Sequence, residues 1–572
     1  MKLKKHLTTL FLSFALLLSG CSNISIPTNA NAAFEHFTLA LFKQDVASTT
    51  LGLHYSIRNP EAYGIANTTV TLGSYDVNET ASLATIENCQ ASLNKFSRKA
   101  LSEENQLTYD VLSYYLETSK EGVAYSLYEE PLSPITGIHA QLPVLLAEYS
   151  FYTRDDVNTY LALLETTPDY FASLIRFERL KSDAGLFMAD CTVDSVMEQC
   201  NAFLTMGENN YLLSTFEERL SSIDNLSAEE KNNYVSQNQT LLETAILPAY
   251  ESLVSALAEL KGTGKNEQGL CYLPGGKDYY SYLVARETGS PRSIDDILAL
   301  IEKQVAEDVL DMQKVVSENP TVIEDVSTTV SSSPEKILED LSKQISTAFP
   351  VAEDVNVEIK YVPEALEPYL SPAFYLIPAI DNATENVIYI NQGSSLQDIH
   401  LFTTLAHEGY PGHLYQTTYY AAQDPNPLRT LFNFKGYVEG WATYAEMTSY
   451  YLSSLEKPYA TLLQKNNSLI LGLYALTDIG IHYNGWNLER TEQFFSTYGI
   501  EDSETIQEIY ELIIGDAANY VSYYVGYVEI LELKREYIEE KGDDFSQKEF
   551  HQEFLDVGPA PFEIVRKQLW GM

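Results

Sequence analysis

Along most of this chain, apolar residues recur every three or four positions with polar residues between them, which is the spacing of amphipathic helices. From about 34 to 270 the pattern predicts successive helices separated by short polar turns. Two stretches, Asn158 to Leu180 and Ala228 to Leu260, predict long helices. A further start is predicted at Ser293-Ile294-Asp295-Asp296, where a capping serine and two acids precede the apolar run Ile297 to Val305. The clear strand signal lies between 372 and 391. There Phe374-Tyr375-Leu376-Ile377-Pro378 and Val387-Ile388-Tyr389-Ile390-Asn391 flank the turn-like Asp381-Asn382-Ala383-Thr384. Beyond 394 the helical period returns almost to the end. The fold class predicted is mainly α with a small β-sheet. A boundary near 285 separates a helical N-terminal region, 34–285, from 286–572, and the two are read as one integrated fold.

The first residues break the pattern. Lys2, Lys4 and Lys5 precede the apolar stretch Leu7 to Leu18, and Leu18-Ser19-Gly20-Cys21 follows. This is a signal-peptide arrangement ending in a lipobox-like tetrad. It predicts a leader over 1–20, cleavage after Gly20, lipidation of Cys21, and a flexible tether over 21–33. The apolar stretch is short for a span, which needs about 20 residues. No later segment is read as apolar enough to cross a bilayer. The expectation is a body anchored to the cell membrane by lipid and facing the extracytoplasmic side.

Charge narrows the partners. Lys and Arg number 36 against 80 Asp and Glu, a net charge of −44. Nucleic acid is thereby excluded as a partner, since phosphate binding needs neutralising cations. The 41 tyrosines are read mainly as half-buried packing residues with wet hydroxyls. Cys89, Cys191, Cys200 and Cys271 follow Cys21 and allow three full pairings. Cys191 and Cys200 lie close enough in sequence to suggest a local bridge, and no pair has C-x-x-C spacing.

The chemistry concentrates in His407-Glu408-Gly409-Tyr410-Pro411-Gly412-His413, which follows the helical run Leu401 to Ala406. In the common zinc-peptidase motif the histidines are four apart and leave one helix face. Here they are six apart, and a Pro-Gly break is needed to swing His413 back towards His407. A zinc ion takes three protein ligands and leaves one position for water in a catalytic site. The third candidate is Glu439, 26 residues on, at the head of the helical segment Glu439 to Glu446. Glu446 lies two turns further on the same face, as a partner orienting a ligand or as an alternative ligand. Glu408 suits a general base that takes a proton from the attacking water and delivers it to the leaving amine. Asp478 and His482 are four apart and share a helix face. His482 is read either as a hydrogen-bond donor to substrate, with Asp478 orienting a ring, or with Asp478 as a buried structural pair. Tyr523, with Tyr524 in reserve, is the candidate hydroxyl for a developing oxyanion.

Together these segments resemble the bacterial domain of unknown function 885 family, many of whose members are described as lipoproteins. The likeness runs through Gly137-Ile138-His139-Ala140-Gln141-Leu142-Pro143, Tyr389-Ile390-Asn391 and the His407–His413 segment with Leu414-Tyr415-Gln416. It continues with Glu439–Glu446, Asp478–His482, Phe550-His551, Leu555-Asp556-Val557-Gly558 and Pro561. The family pattern often carries a second histidine immediately after the one matching His413, and here that position is Leu414, so it is not an essential ligand. The resemblance implies a helical metallopeptidase-like fold similar to the gluzincin zinc peptidases, with the small sheet beside the metal-binding helix. It implies His407, His413 and Glu439 as zinc ligands, Glu408 as base, and His482 and Tyr523 as stabilisers. The expected function is zinc-dependent hydrolysis of small or unfolded peptides outside the cytoplasm, in a carboxypeptidase or dipeptidase mode. The alternatives are a non-catalytic lipoprotein that binds peptides or cell-wall fragments around a structural metal, and a metal hydrolase acting on another amide.

Overall fold

Apolar stripes at helical spacing pack against one another through most of the protein, which is mainly α with one small sheet, as the periodicity predicts. The computed structural model describes residues 29–224, 226–322, 333–362, 364, 367, 371–393 and 399–571. The expected leader, Cys21 and residues 22–28 of the tether lie outside these. Residues 30–33, expected in the tether, instead open a helix, Ala30–Val46, capped by the Asn29 side chain. Asn31 Oδ1 accepts from the Ser102 N–H at 2.8 Å and fixes that first turn to the body.

The largest apolar core takes residues from both sides of position 285, from Phe34 and Val111 to Val528 and Val565. A second core fills the N-terminal helices and reaches Phe374 and Tyr389 of the sheet. A third, smaller one lies between the sheet and the candidate metal helix, around Tyr375, Ile388, Phe402 and Leu405.

Two long helices were expected in the N-terminal region, and one of them is broken. Asn158 to Leu180 divides into Arg154–Glu165 and Thr167–Ala184. Pro168, in the first turn of the second helix, supplies no N–H to continue the first ladder. Ala228 to Leu260 is continuous but includes a π-turn over Leu242–Ile246, directly before Pro248. By length and composition alone this helix could cross a bilayer, which corrects the expectation that nothing after the leader could. Its apolar face is instead spent on the second core through Tyr250, Leu253 and Leu257. The proposed Cys191–Cys200 bridge is absent, since both cysteines are free. They sit on one helix, Asp190–Leu204, where nine residues at 1.5 Å rise hold them about 13 Å apart, beyond disulfide reach.

The sheet has three strands: β1 (Asn356–Tyr361), β2 (Ala373–Leu376) and β3 (Glu385–Ile390), ordered β1-β3-β2. β2 and β3 form the antiparallel pair expected from sequence, with Ala373 opposite Ile390. β1 runs parallel to β3 and was not anticipated. Five helices carry the rest of the argument: α1 (Ile294–Glu318), α2 (Ile399–Glu408), α3 (His413–Ala421), α4 (Lys435–Ser449) and α5 (Lys457–His482). A sixth, α6 (Asn519–Lys541), lies against α4.

Candidate metal centre

α2 ends at Glu408, and the chain then folds back on its own last turn. Gly412 donates to the Ala406 carbonyl at 2.9 Å, and Tyr415 to the Gly409 carbonyl at 3.1 Å. A Cβ at Gly412 would lie 1.8 Å from the His407 carbonyl oxygen, so only glycine allows this approach. Pro411, behind a cis peptide bond, is held in place by the Trp441 indole, which donates to its carbonyl at 2.8 Å. The break therefore restarts the helix with His413 as the first residue of α3, facing His407. Their ring centroids are 4.8 Å apart and perpendicular.

Glu439, one turn into α4, meets both rings. Its Oε2 lies 3.1 Å from His413 Nε2 and 3.7 Å from His407 Nε2. Glu408 Oε1 is 4.0 Å from the same His407 nitrogen, and its Oε2 accepts the backbone N–H of Tyr375 in β2 at 2.9 Å. The sheet thus fixes the carboxylate beside the cluster. Behind His407, Nδ1 meets Glu446 Oε2 at 3.1 Å, and Glu446 Oε1 accepts from Asn467 on α5 at 2.9 Å. Glu408, His413 and Glu439 are buried, and His407 alone of the four keeps partial exposure.

These donors fit a zinc ion. Tetrahedral bonds of about 2.0–2.1 Å place ligand atoms roughly 3.3–3.4 Å from one another, and the two Glu439–histidine separations straddle that edge length. His407, Glu408 and His413 also present donor atoms within 4.8 Å of one another. The charge balance agrees. Burial opposes a charge on His407, but hydrogen bonds to Glu439 and Glu446 and the nearby Glu408 outweigh it and push the ring up to about 10. Surroundings that favour an imidazolium this strongly also favour a divalent cation.

Tyr523 on α6 joins the group, its ring 6.4 Å from that of His407 and nearly parallel to it. Burial, then the charges of Glu439 and Glu408, raise its hydroxyl well above the usual tyrosine range, so it stays a proton donor. Tyr524, the reserve, is not brought here. It packs on Gly472 of α5 and feels Asp308 of α1.

His482 takes the structural alternative. Its Nδ1 accepts the Leu270 N–H at 3.1 Å and its Nε2 meets the Ile513 carbonyl at 2.8 Å, with no exposed surface. Both ring nitrogens are spent on main chain, so the reading of His482 as a stabiliser of the reaction is withdrawn. Asp478 likewise orients no cluster histidine. It accepts the Tyr280 hydroxyl at 2.6 Å and the Ala518 N–H at 3.1 Å, and thereby ties down the residue that precedes α6, the helix that carries Tyr523.

Sequence reasoning missed the Tyr375 N–H, Asn467 and Lys435. For Lys435 a signal existed, since it precedes Glu439 by four residues and so lies on the same face one turn earlier. It also lines a cavity of about 420 Å³ between the N-terminal helices and the start of α6, whose wall includes Asp516, Arg286, Tyr282 and Phe434 but none of the four cluster residues.

Over residues 63–569 the chain matches the family model described as "Bacterial protein of unknown function (DUF885)". No curated protein matches it. Among solved structures it is similar to a "putative lipoprotein" from Colwellia psychrerythraea, with 19% identity, a TM-score of 0.81, and coverage of 95% of this chain and 99% of that one. It is also similar to a "putative lipoprotein of unknown function" from Shewanella oneidensis, with 17% identity, a TM-score of 0.63, and coverage of 96% and 100%. At these identities the likeness is one of fold.

Proposed function

The chain belongs to the bacterial DUF885 family, and from that premise and the geometry above we propose that it is a zinc-dependent peptidase acting on small or unfolded peptides outside the cytoplasm. The observation that carries this reading is the Glu439 carboxylate set 3.1 and 3.7 Å from two imidazole nitrogens, with a second carboxylate, Glu408, held alongside by a strand N–H. His407, His413 and Glu439 would hold the ion, whose contribution when bound is Lewis acidity towards a water and a substrate carbonyl. Three protein ligands and an adjacent base favour catalysis over a purely structural site, which closes all four positions.

In this reading Glu408 takes the proton of the attacking water and passes it to the departing amine. Its Tyr375 contact keeps one carboxylate oxygen oriented, leaving the other to work. The Tyr523 hydroxyl donates to the oxygen on which negative charge develops. Glu446 keeps the hydrogen of His407 on Nδ1 and so presents Nε2 to the ligand position. The lipobox-like Cys21 and the lipoprotein description of both similar solved structures support a lipid-anchored location.

The test pairs two variants on a mixed peptide library, with products read by mass spectrometry, a chelated control, and zinc counted by atomic absorption. Glu408→Gln retains about one zinc per chain and loses hydrolysis by at least a hundredfold, whereas His407→Ala loses the metal. Turnover retained in purified Glu408→Gln removes the base from this scheme, and with it the proposed mechanism.

A further inference from the structure

Tyr279, Tyr282 and Arg286 are spaced to share one face of the helix Gly276–Thr288, and all three line the cavity of about 420 Å³. A second helix, Thr167–Ala184, brings Phe177 to the same wall, with Lys181 Nζ 5.7 Å from its ring centre. Glu129 and Glu130 enter from the segment just before Pro131. None of the four cluster residues lines this space, whose size is that of a small-molecule site, roughly 300–1,000 Å³.

Charge on this wall does not close. Arg286 serves Glu129 at 2.5 Å and Glu287 at 2.9 Å, while Lys181 serves Glu130 at 2.6 Å and Glu178 at 3.7 Å. Even with Glu178 protonated, as its burial favours, Glu129, Glu130 and Glu287 stand against two cations. The other charges of the wall do not repair this. Asp76 faces Arg176 at 3.6 Å, and Lys435 has Asp516 and Asp478 as counter-charges.

Hydrogen bonding points the same way. Among the described residues, four buried side-chain atoms of the wall have no hydrogen-bond partner: Glu130 Oε1, Asn266 Oδ1, Asn433 Oδ1 and the Thr192 hydroxyl. Asn266 is itself only 6% exposed. The first three can only accept and the fourth can accept as well, whereas an ammonium carries three donors and no acceptor. Aromatic faces also attract cations, and this wall already uses one so, with Arg286 5.6 Å from the Tyr282 ring centre. Tyr128 and Tyr279, ring centres 4.8 Å apart, extend the aromatic surface. Burial first, then charges that include Glu129 and Glu130, raise the Tyr279 hydroxyl, so that ring adjoins the acidic corner.

We propose that this cavity is a second binding site, separate from the His407–Glu439 cluster, that takes a small organic amine on an apolar body. The ammonium meets Glu130, and the body lies against Tyr279 and Phe177. The wall draws residues from both sides of position 285, so the bound amine ties the two regions together.

The test uses the whole chain in chelator, so that the metal cluster takes no part. Salt at about 0.15 M screens the −44 net charge beyond roughly 8 Å. Phenethylamine, phenethyl alcohol and phenylacetate, which share a phenyl body, are titrated calorimetrically. The amine is expected to bind about ten- to a hundredfold more tightly than the alcohol, and phenylacetate more weakly than either. The melting temperature should climb with amine concentration. Glu130→Gln keeps the side-chain shape and leaves Glu178 to Lys181, and it should bring amine and alcohol within about threefold. If that variant misfolds, the amine-to-alcohol ratio of the wild-type chain still decides. Equal binding of amine and alcohol by the wild type overturns the proposal, as does an undiminished preference in folded Glu130→Gln. Neither outcome touches the peptidase reading, which stands or falls on zinc and hydrolysis.

Discussion

Glu446 shows how much of the site's precision sits outside the residues that would grip the metal. One of its oxygens takes the Nδ1 side of His407 and the other is held by Asn467, so the imidazole has one orientation. Removing such a support typically weakens metal binding about ten- to a hundredfold while leaving the ligands in place. Glu446→Ala is therefore expected to raise the zinc dissociation constant by that factor in a chelator-competition titration, with one zinc still bound at saturation. An unchanged constant would mean that the 3.1 Å contact does nothing for the ring. That His407, Glu408, His413 and Glu439 meet in space was legible in the chain, because a His-Glu pair, a Pro-Gly break and a downstream Glu at the head of a helix constrain one another. Asp478 and His482 share a face as their spacing requires, yet apart from the Tyr280 hydroxyl their partners are the main-chain groups of Leu270, Ile513 and Ala518. No side-chain pattern announces a main-chain partner from a distant segment.

At the scale of elements, the site depends on how closely α4 and α6 approach. A Cβ at Gly440 would lie 2.4 Å from the Gly526 carbonyl carbon, and one at Gly526 would lie 2.1 Å from the Gly436 carbonyl oxygen. Both neighbours are backbone and cannot rotate away. Gly440 adjoins Glu439, and Gly526 lies one turn after Tyr523, so the crossing sets the distance between ligand and hydroxyl. Gly440→Ala should cost about 1–3 kcal/mol or more by overpacking, lowering the melting temperature and weakening zinc binding together. A variant as stable as the wild type would show that the helices can part at no cost. The helical periods were legible because each helix buries a stripe. The sequence reading ran across Thr166 because Pro168 is also tolerated within a first turn, which hid the start of a second helix. β1 escaped notice because most of its residues are exposed and its partner, β3, lies more than twenty positions later, so no hairpin turn marks the pair.

For the molecule as a whole, buried ionisable groups and net charge set the response to pH, and their signs can be worked through. Burial pushes Asp478 up to about 7 and raises Glu178 against the opposing pull of Lys181. Each binds a proton more readily folded than unfolded, so stability grows as pH falls through the folded value towards the ordinary carboxyl value, and is lost as pH rises back through the folded one. Burial lowers His139 and His482 to about 4 and His551 to about 3. These take up protons more readily when unfolded and cost stability only once pH drops below the ordinary histidine value of about 6.5. Between pH 8 and 6.5 the raised carboxyls therefore act without opposition from these rings, and partial relief of the −44 net charge has the same sign. In chelator, so that no bound cation contributes, the protein should be more stable at pH 6.5 than at pH 8 by on the order of 1–3 kcal/mol. Below 6.5 the three histidines begin to offset the gain and the curve should flatten. Calorimetric melts at pH 8, 7.2, 6.5 and 5.5 give the profile. A maximum at pH 8 would mean that Asp478 and Glu178 are charged and satisfied in the folded protein. Asp478→Asn keeps an acceptor for the Ala518 N–H while removing the titration, so in that variant the rise from pH 8 to 6.5 should shrink, which assigns part of the slope to the carboxyl that holds the residue before α6.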